Sequence, residues 1–156
     1  MPYIYFAENS DIVEIKPSKL TNAGDGLFAT KSIKKDEFIC WYSGVYLSKD
    51  FIENGYYESD YLFQPRGRNK LVIDASDPNS CYGRYINDSL SKMKKNSDFE
   101  SYTDTHSAAI IATKNIRKGS EIYISYGNNF WREPRLYDKL SVADKQHVDD
   151  DENDDT

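Results

Sequence analysis

The sequence predicts a mainly β fold made of several small sheets, with short helices. Short apolar runs separated by turn residues occupy much of residues 12–44. Residues 29–35 (ATKSIKK) are echoed by residues 112–118 (ATKNIRK), and each copy leads into a strand that glycine closes. Helices of roughly 10 to 15 residues do not alternate with strands. This pattern argues against a doubly wound α/β sheet and for separate small sheets.

The first strands lie on either side of a glycine turn. Residues 12–15 (IVEI) predict a strand, and residues 22–26 (NAGDG) turn the chain back into a second one. A further turn at residues 33–36 precedes a β-rich run over residues 37–42, which Gly44 closes. We therefore expect three short strands before residue 45.

The rest of the chain is predicted to be less regular. Residues 51–63 are expected to contain one short helix, residues 71–75 a strand, residues 92–105 an exposed loop and residues 108–112 a buried strand. Pro134 favours the start of a C-terminal helix because proline fits the first helical turn. The apolar face of that helix would carry Leu136, Leu140 and Ala143.

Charge divides the chain into a neutral body and an acidic end. The whole chain of 156 residues carries a net charge of -6, and residues 144–156 hold seven acidic side chains against one lysine. We expect one domain over residues 1–140 and an acidic, disordered tail over residues 141–156. A neutral body argues against nucleic acid as a direct partner and is compatible with a basic protein or peptide.

Cysteine use and hydropathy narrow the class of protein further. Cys40 and Cys81 have no C-x-x-C spacing, so neither a zinc site nor a disulfide framework is expected. This favours a reducing intracellular compartment, either nucleus or cytoplasm. No stretch reaches the roughly 20 apolar residues that a membrane span needs, and the first residues do not read as a signal peptide.

Three segments carry the strongest chemical signals: residues 22–30, 83–89 and 121–127. In the first, Gly24 and Gly26 flank one residue, so the backbone is able to adopt positive φ and approach a ligand closely. Taken alone, this pair is explained better by an ordinary β-turn.

The other two segments place polar or aromatic residues at the ends of apolar runs. Residues 83–86 (GRYI) predict a strand that leads into Asn87, Asp88 and Ser89, a triplet that is also expected of a capped turn. In residues 121–126 a period of two puts Tyr126 on the same face as two isoleucines. A tyrosine that merely ends a buried strand is the alternative interpretation.

Together and in this order, the three segments resemble the SET-domain protein lysine methyltransferases, over roughly residues 12–137. The resemblance implies a SET-domain fold, in which several small sheets surround a pseudoknot formed by the last two segments. It also implies S-adenosyl-L-methionine as cofactor and a basic protein or peptide substrate, with a histone tail as the first expectation. No metal is implied.

The resemblance assigns roles to individual residues. Tyr126 matches the family's strand-end tyrosine and would be catalytic, beside the methyl group. Asp88 stands where the family has histidine, and the family's Cys-x-Pro-Asn continuation is absent. The cofactor-binding residues would be Ala23, Gly24, Asp25, Gly26, Asn87, Asp88 and Trp131.

A substrate channel follows from the same resemblance. Residues 60–63 (DYLF) and the Phe-Trp pair at residues 130–131 resemble small viral or microbial SET proteins that lack flanking zinc modules. Plain packing is the alternative for these aromatics. The residues expected to line the channel are Tyr61, Tyr85, Ile124 and Phe130.

Two functions are compatible with these observations. The first is a protein-lysine N-methyltransferase that uses S-adenosyl-L-methionine. The second is a catalytically inactive SET-like module that binds a peptide or a partner, which Asp88 and the missing Cys-x-Pro-Asn favour. The target lysine, the degree of methylation and the oligomeric state do not follow from the sequence.

Overall fold

The computed structural model describes residues 3–5, 10–52, 54, 59–64, 71–102 and 107–150. The strands are β1 (Tyr3–Tyr5), β2 (Val13–Pro17), β3 (Asp25–Ala29), β4 (Phe38–Tyr42), β5 (Gly44–Ser48), β6 (Leu62–Phe63), β7 (Leu71–Asp74), β8 (Ser97–Tyr102), β9 (Ser107–Ala112) and β10 (Glu121–Ile122). The helices are α1 (Lys49–Phe51), the 3₁₀ helix Gly83–Tyr85, α2 (Asn128–Trp131), α3 (Pro134–Tyr137) and α4 (Val142–Asp150).

The strands form three small antiparallel sheets, with the orders β1-β5-β7-β6, β10-β3-β2 and β4-β9-β8. The predicted mainly β fold of several small sheets is therefore confirmed. The helices in the described residues are short, and none is long and apolar enough to cross a membrane.

The echoed sequences lie against each other. Backbone hydrogen bonds of 2.8 and 2.7 Å join Ile33 and Ile116 in both directions. On one side of this bridge, the Ala29 carbonyl and N–H bond to residues 119 and 120, at 2.8 and 2.9 Å. On the other side, Ala112 makes the corresponding bonds to residues 36 and 37. Residues 29–37 and 112–120, named the paired turns below, are thus related by a local twofold axis.

The core lies between the sheets and beneath the paired turns. Its fully buried side chains include Leu27, Ile39, Ile73, Ile110 and Ile122. Burial of each such side chain contributes roughly 1.5–3 kcal/mol relative to full exposure. Packing of these core side chains fixes the positions of the strand ends that carry the candidate site residues.

Several local predictions are confirmed. Strand β2 covers most of the run predicted at residues 12–15, and strands β7 and β9 match the runs at 71–75 and 108–112. Helix α3 begins at Pro134, as expected for a proline in the first helical turn.

One prediction between residues 51 and 105 holds only in part, and another is wrong. Helical residues occur at 51, 52 and 54, but β6 pairs with β7 at the other end of the predicted segment, and residues 53 and 55–58 lie outside the described residues. Instead of an exposed loop after residue 92, β8 pairs with β9 along six residues. In both cases pairing with a neighbouring strand outweighs the weak local preference of a polar sequence.

The segments around the candidate site also differ from their predicted form. Residues 83–85 form a 3₁₀ helix rather than a strand, with the Tyr85 N–H bonded to the Tyr82 carbonyl. Strand β10 stops at Ile122, and the chain then pairs in parallel with Asn87 through Tyr123. These residues do not belong to one sheet, because Asn87 bonds both to the glycine turn and to the third motif segment.

The acidic C-terminal segment contains a helix where the sequence predicts disorder. Helix α4 covers residues 142–150, and its Val148 side chain is fully buried. The Tyr137 hydroxyl donates to Asp149 at 2.9 Å, and the Ser141 hydroxyl accepts from the Asp144 N–H at 3.1 Å. These contacts anchor and cap a helix that its composition alone does not favour. Leu140 and Ala143 therefore do not continue α3, and residues 151–156 lie outside the described residues.

Candidate active site

The structure brings the three motif segments together. The Asn87 side chain donates to the Asp25 carbonyl at 2.9 Å, which joins the second segment to the glycine turn. The Asn87 carbonyl accepts from the Ile124 N–H at 3.0 Å, which joins it to the third segment. Residues separated by about a hundred positions in sequence thus converge on one site.

Asp88 links the same segments through its side chain. One carboxylate oxygen accepts from the Leu90 N–H at 2.7 Å. The other accepts from the Tyr126 N–H at 3.0 Å and from the Trp131 indole N–H at 2.8 Å. Most of the acceptor capacity of this carboxylate is therefore used within the chain.

Tyr126 lies at the centre of a small aromatic cluster. Its hydroxyl donates to the Ile86 carbonyl at 2.5 Å. The Phe130 ring meets it edge-on with centroids 4.9 Å apart, and the Trp131 ring is stacked at 5.9 Å. Burial, followed by the negative charge of Asp88, raises the pKa of Tyr126 far above its ordinary value. The hydroxyl is therefore protonated, and neutral, throughout the physiological pH range.

A cavity of about 390 Å³ opens beside the Tyr126 ring. It is lined by five of the residues that the sequence assigns to the site: Ala23, Tyr61, Ile124, Tyr126 and Phe130. The glycine turn and the proposed channel wall therefore face the same space. Aromatic and aliphatic side chains line it together with polar groups, a combination found in small-ligand and substrate sites.

Part of the cavity wall consists of aromatic residues that were not predicted from the sequence. Phe63 and Phe99 are stacked with centroids 3.9 Å apart, and the edge of Tyr42 faces both rings. The Tyr42 hydroxyl donates to the Tyr61 carbonyl at 2.7 Å. A usable signal existed for Phe99, because exposed Asp98 and Glu100 flank it in a pattern of period two.

Charged groups surround the mouth of the cavity. The Arg84 guanidinium lies over the Tyr61 ring, 4.3 Å from its centroid, and donates to the Ala75 carbonyl at 2.7 Å. Asp60 forms an ion pair with Arg135 through both carboxylate oxygens. The ion pair between Asp60 and Arg135 joins the segment that carries Tyr61 to α3, which closes this side of the cavity.

The two glycines of the turn have different roles. Gly24 has a φ of +69°, and no atom lies within 4 Å of the place where a side chain would begin. A ligand is therefore able to approach its backbone. At Gly26 a Cβ atom would lie 2.5 Å from a carboxylate oxygen of Glu121. Gly26 is thus required by packing inside the protein.

Glu121 is a buried carboxylate that the sequence analysis did not single out. It accepts from the Ser18 hydroxyl at 2.7 Å, the Lys19 N–H at 2.8 Å and the Tyr123 hydroxyl at 3.1 Å. Its contacts hold the chain before the glycine turn against β10. Burial and the adjacent carboxylate raise the pKa of Tyr123 to about 12.

Seven predicted site residues are not among those that line the cavity: Gly24, Asp25, Gly26, Tyr85, Asn87, Asp88 and Trp131. The side chains of Tyr85 and Trp131 are engaged elsewhere. Tyr85 was assigned to the channel, but its hydroxyl donates to the Pro78 carbonyl at 2.8 Å and its ring packs against Arg84. Trp131 was assigned to the cofactor, and its indole N–H instead donates to Asp88. Both side chains support residues that line the cavity.

The site fits a cofactor that is bound largely by backbone atoms. The open approach to Gly24 and the position of Ala23 in the cavity wall suit such a ligand. The side chains of Asn87 and Asp88 are already bonded within the chain, which leaves backbone groups of this segment for contact. No group of three potential metal-ligating side chains occurs within the described residues.

Comparison with known proteins gives one family. The family model described as "SET domain" matches residues 24–127. The Histone-lysine N-methyltransferase SETD7 of Halocynthia roretzi is 42% identical over 45 residues, which cover 29% of this chain and 12% of that protein.

Solved structures agree with this match. A humanized mutant of the Chaetomium thermophilum Polycomb Repressive Complex 2, bound to the inhibitor GSK126, has a TM-score of 0.63 at 28% identity, over 79% of this chain. The methyltransferase domain of human PR domain-containing protein 2 has the same fold, with a TM-score of 0.60 at 22% identity over 76% of this chain. The chain spans 12% of the curated relative and 16% of the Polycomb chain.

Proposed function

Because the chain belongs to the SET-domain family, we propose that it transfers a methyl group from S-adenosyl-L-methionine to a lysine side chain of a basic protein. The observation that supports this most strongly is the shared cavity. Its walls contain Ala23 of the glycine turn and the Tyr126 ring, together with the aromatic channel residues. Donor and acceptor sites would therefore open into one space.

S-adenosyl-L-methionine supplies the methyl group and a positively charged sulfonium from which that group departs. Ala23 and Gly24, with the backbone of Asn87, would hold it. The chain must then deliver a neutral amine, because an ammonium ion has no lone pair with which to attack. At neutral pH only about one lysine in a thousand is neutral in water, given a pKa near 10.4.

The cavity favours the neutral amine in two ways. The rings of Phe63, Phe99 and Phe130 replace water around a bound lysine side chain, which disfavours its charged form. The Arg84 guanidinium lines the same cavity and adds a positive charge that acts in the same direction. Both effects lower the pKa of a lysine amine inside the cavity.

Tyr126 orients the amine rather than removing its proton. Its hydroxyl is protonated and donates to the Ile86 carbonyl, so its oxygen lone pairs are directed away from that bond. Those lone pairs would accept a hydrogen bond from the amine or weak C–H contacts from the methyl group. Catalysis then consists mainly of alignment and exclusion of water.

A histone tail is the proposed substrate, in the nucleus or the cytoplasm. The curated relative is named a histone-lysine N-methyltransferase, and the neutral body with its acidic C-terminal segment is compatible with a basic partner. The same site would accept a lysine of another basic protein, so the substrate is to be tested with histones first and ribosomal proteins second.

Cofactor binding is tested by calorimetry with S-adenosyl-L-methionine. We expect micromolar binding to the wild type. Gly24→Val should weaken it at least tenfold, because a branched residue at φ +69° is strained and blocks the open approach to the turn. Gly119→Val, at a glycine with φ +86° in the paired turns, is the matched control for strain alone. Absence of binding to the wild type would favour the inactive binding module.

Substrate use is tested by transfer of radiolabelled methyl to a mixture of core histones. Label on a histone is expected with the wild type and should fall about a hundredfold in Tyr126→Phe, the order of loss seen when one preorganised polar group is removed from a reaction centre. Tyr137→Phe removes a surface hydroxyl bonded to Asp149 and should retain full activity. Equal activity in the two variants would contradict the role of Tyr126.

A further inference from the structure

We propose that Asp88 is a positioning residue that holds the catalytic Tyr126 and the C-terminal aromatic pair in one arrangement. The proposal rests on the function proposed above. It assigns to one carboxylate the closure of the site, in a chain that has aspartate where the resemblance expects histidine.

The geometry shows three donors on three different segments. Leu90 directly follows the second motif, Tyr126 lies near the end of the third motif, and Trp131 lies in α2. A single carboxylate oxygen accepts from both Tyr126 and Trp131. Movement of Asp88 would therefore displace the Tyr126 backbone and the indole ring together.

Trp131 transmits this constraint to the cavity. Its ring is stacked on Tyr126 and meets the edge of Phe130 with centroids 5.0 Å apart. Phe130 and Tyr126 line the cavity, whereas Trp131 lies behind them. The carboxylate thus fixes the outer ring of the cluster, and that ring fixes the two inner ones.

An ionised carboxylate is needed for this arrangement. Charge-assisted hydrogen bonds are shorter and stronger than neutral ones, and both oxygens of a carboxylate accept. An asparagine has one accepting oxygen, so its NH₂ group would face either the Leu90 N–H or the pair formed by Tyr126 and Trp131. A neutral histidine offers a single accepting nitrogen and is no closer substitute.

The structural test uses the two tryptophans of the chain, Trp41 and Trp131, which give two indole N–H signals in a ¹H–¹⁵N spectrum. Trp131→Phe identifies the signal of Trp131 by removing it. In Asp88→Asn we expect this signal to move and the Tyr126 amide to exchange faster, while the Trp41 signal stays. Asp11→Asn, an exposed carboxylate-to-amide change, should leave both signals in place.

The functional test compares kcat and KM for methyl transfer. Asp88→Asn should lower kcat by roughly tenfold to a hundredfold, the range expected for loss of hydrogen bonds to a charged group. The KM for the histone substrate should change by less than about threefold. Trp131→Phe keeps the carboxylate and should lower kcat severalfold. The double variant should be no slower than Asp88→Asn, because both changes break the same arrangement.

Three results would overturn the proposal: an unmoved Trp131 signal in Asp88→Asn, an unchanged kcat in that variant, or effects that multiply fully in the double variant. Failure of the proposed function is recognised separately, as a wild type that transfers no methyl. In that event the indole and amide measurements decide whether Asp88 holds the aromatic pair.

Discussion

The paired turns are built from two distant stretches of chain and the Tyr126 site from three, and the groups that hold them together differ. In the paired turns, backbone N–H and carbonyl groups make the same hydrogen bonds twice about a local twofold axis. At the Tyr126 site, the side chains of Asn87 and Asp88 add three hydrogen bonds to the backbone bond between Ile124 and Asn87. Backbone contacts tolerate most exposed substitutions, whereas side-chain contacts depend on one residue each.

The largest expected effect tests the symmetry of the paired turns. Ile33 and Ile116 are 1% and 3% exposed and occupy equivalent positions. Ile33→Ala and Ile116→Ala should each lower the free energy of unfolding by about 2–5 kcal/mol, since each leaves a cavity in the core. Denaturant unfolding should give equal losses within about 1 kcal/mol. Clearly unequal losses would show that only one of the two turns supports the fold.

The second prediction concerns alkaline pH and the cavity. Burial raises the pKa of Tyr42 and of Tyr126, whereas the unfolded chain ionises its tyrosines near pH ~10. Their contribution to stability is complete below pH ~10 and is lost as the pH rises toward the folded pKa, by about 1.4 kcal/mol per pH unit for each tyrosine.

Urea unfolding between pH 9 and 11 measures this loss. The paired turns contain neither tyrosine nor cysteine, so none of the loss is expected from them. Burial also raises the pKa of Cys40 and of Cys81, so the Tyr42→Phe variant is needed to isolate one tyrosine. In Tyr42→Phe the free energy of unfolding should decline less steeply with pH, because the contribution of one tyrosine is missing. An identical decline in wild type and variant would mean that Tyr42 is not the group responsible.

The third prediction uses an asymmetry within the paired turns. Asp36 and Gly119 are equivalent, and both have positive φ, at 73° and 86°. Gly119→Ala should destabilise the protein by about 1–2 kcal/mol, because a side chain is strained in this conformation. Asp36→Gly should change stability by less than about 1 kcal/mol, since relief of strain and greater freedom of the unfolded chain oppose each other. Equal losses at both positions would contradict the assigned conformations.

The smallest expected effect comes from facing charges. The register of the paired turns places Lys31 across from Lys118, and like charges in this position are destabilising. Lys118→Glu should therefore raise the free energy of unfolding by about 0.2–1 kcal/mol, and salt should reduce the gain. A gain that is unchanged in 1 M salt would indicate a cause other than charge.

The sequence predicts the two regions unequally well. The echo of residues 29–35 in residues 112–118 indicates two similar units, and the structure joins them through backbone hydrogen bonds. The convergence of the motif segments followed from the resemblance to a family. The position of Tyr85 did not follow, because a 3₁₀ helix turns its ring toward Pro78 and Arg84.

The aromatic wall shows why the remainder was missed. Phe63 and Phe99 lie in short strands that form by pairing with β7 and β9, and the residues around Phe99 are polar. Such pairing with a distant strand is not predictable from the local composition. The same holds for Asp88: its residue type departs from the family, and only its three donors explain what the carboxylate does.

The most direct test of the account is to identify the modified amino acid after incubation with labelled S-adenosyl-L-methionine and core histones. Acid hydrolysis and chromatography of the labelled protein should place the label in methyllysine with the wild type and the Tyr137→Phe control. Tyr126→Phe should leave almost no label there. Label in another amino acid, or equal methyllysine in the Tyr126→Phe reaction, would contradict lysine methylation at this cavity.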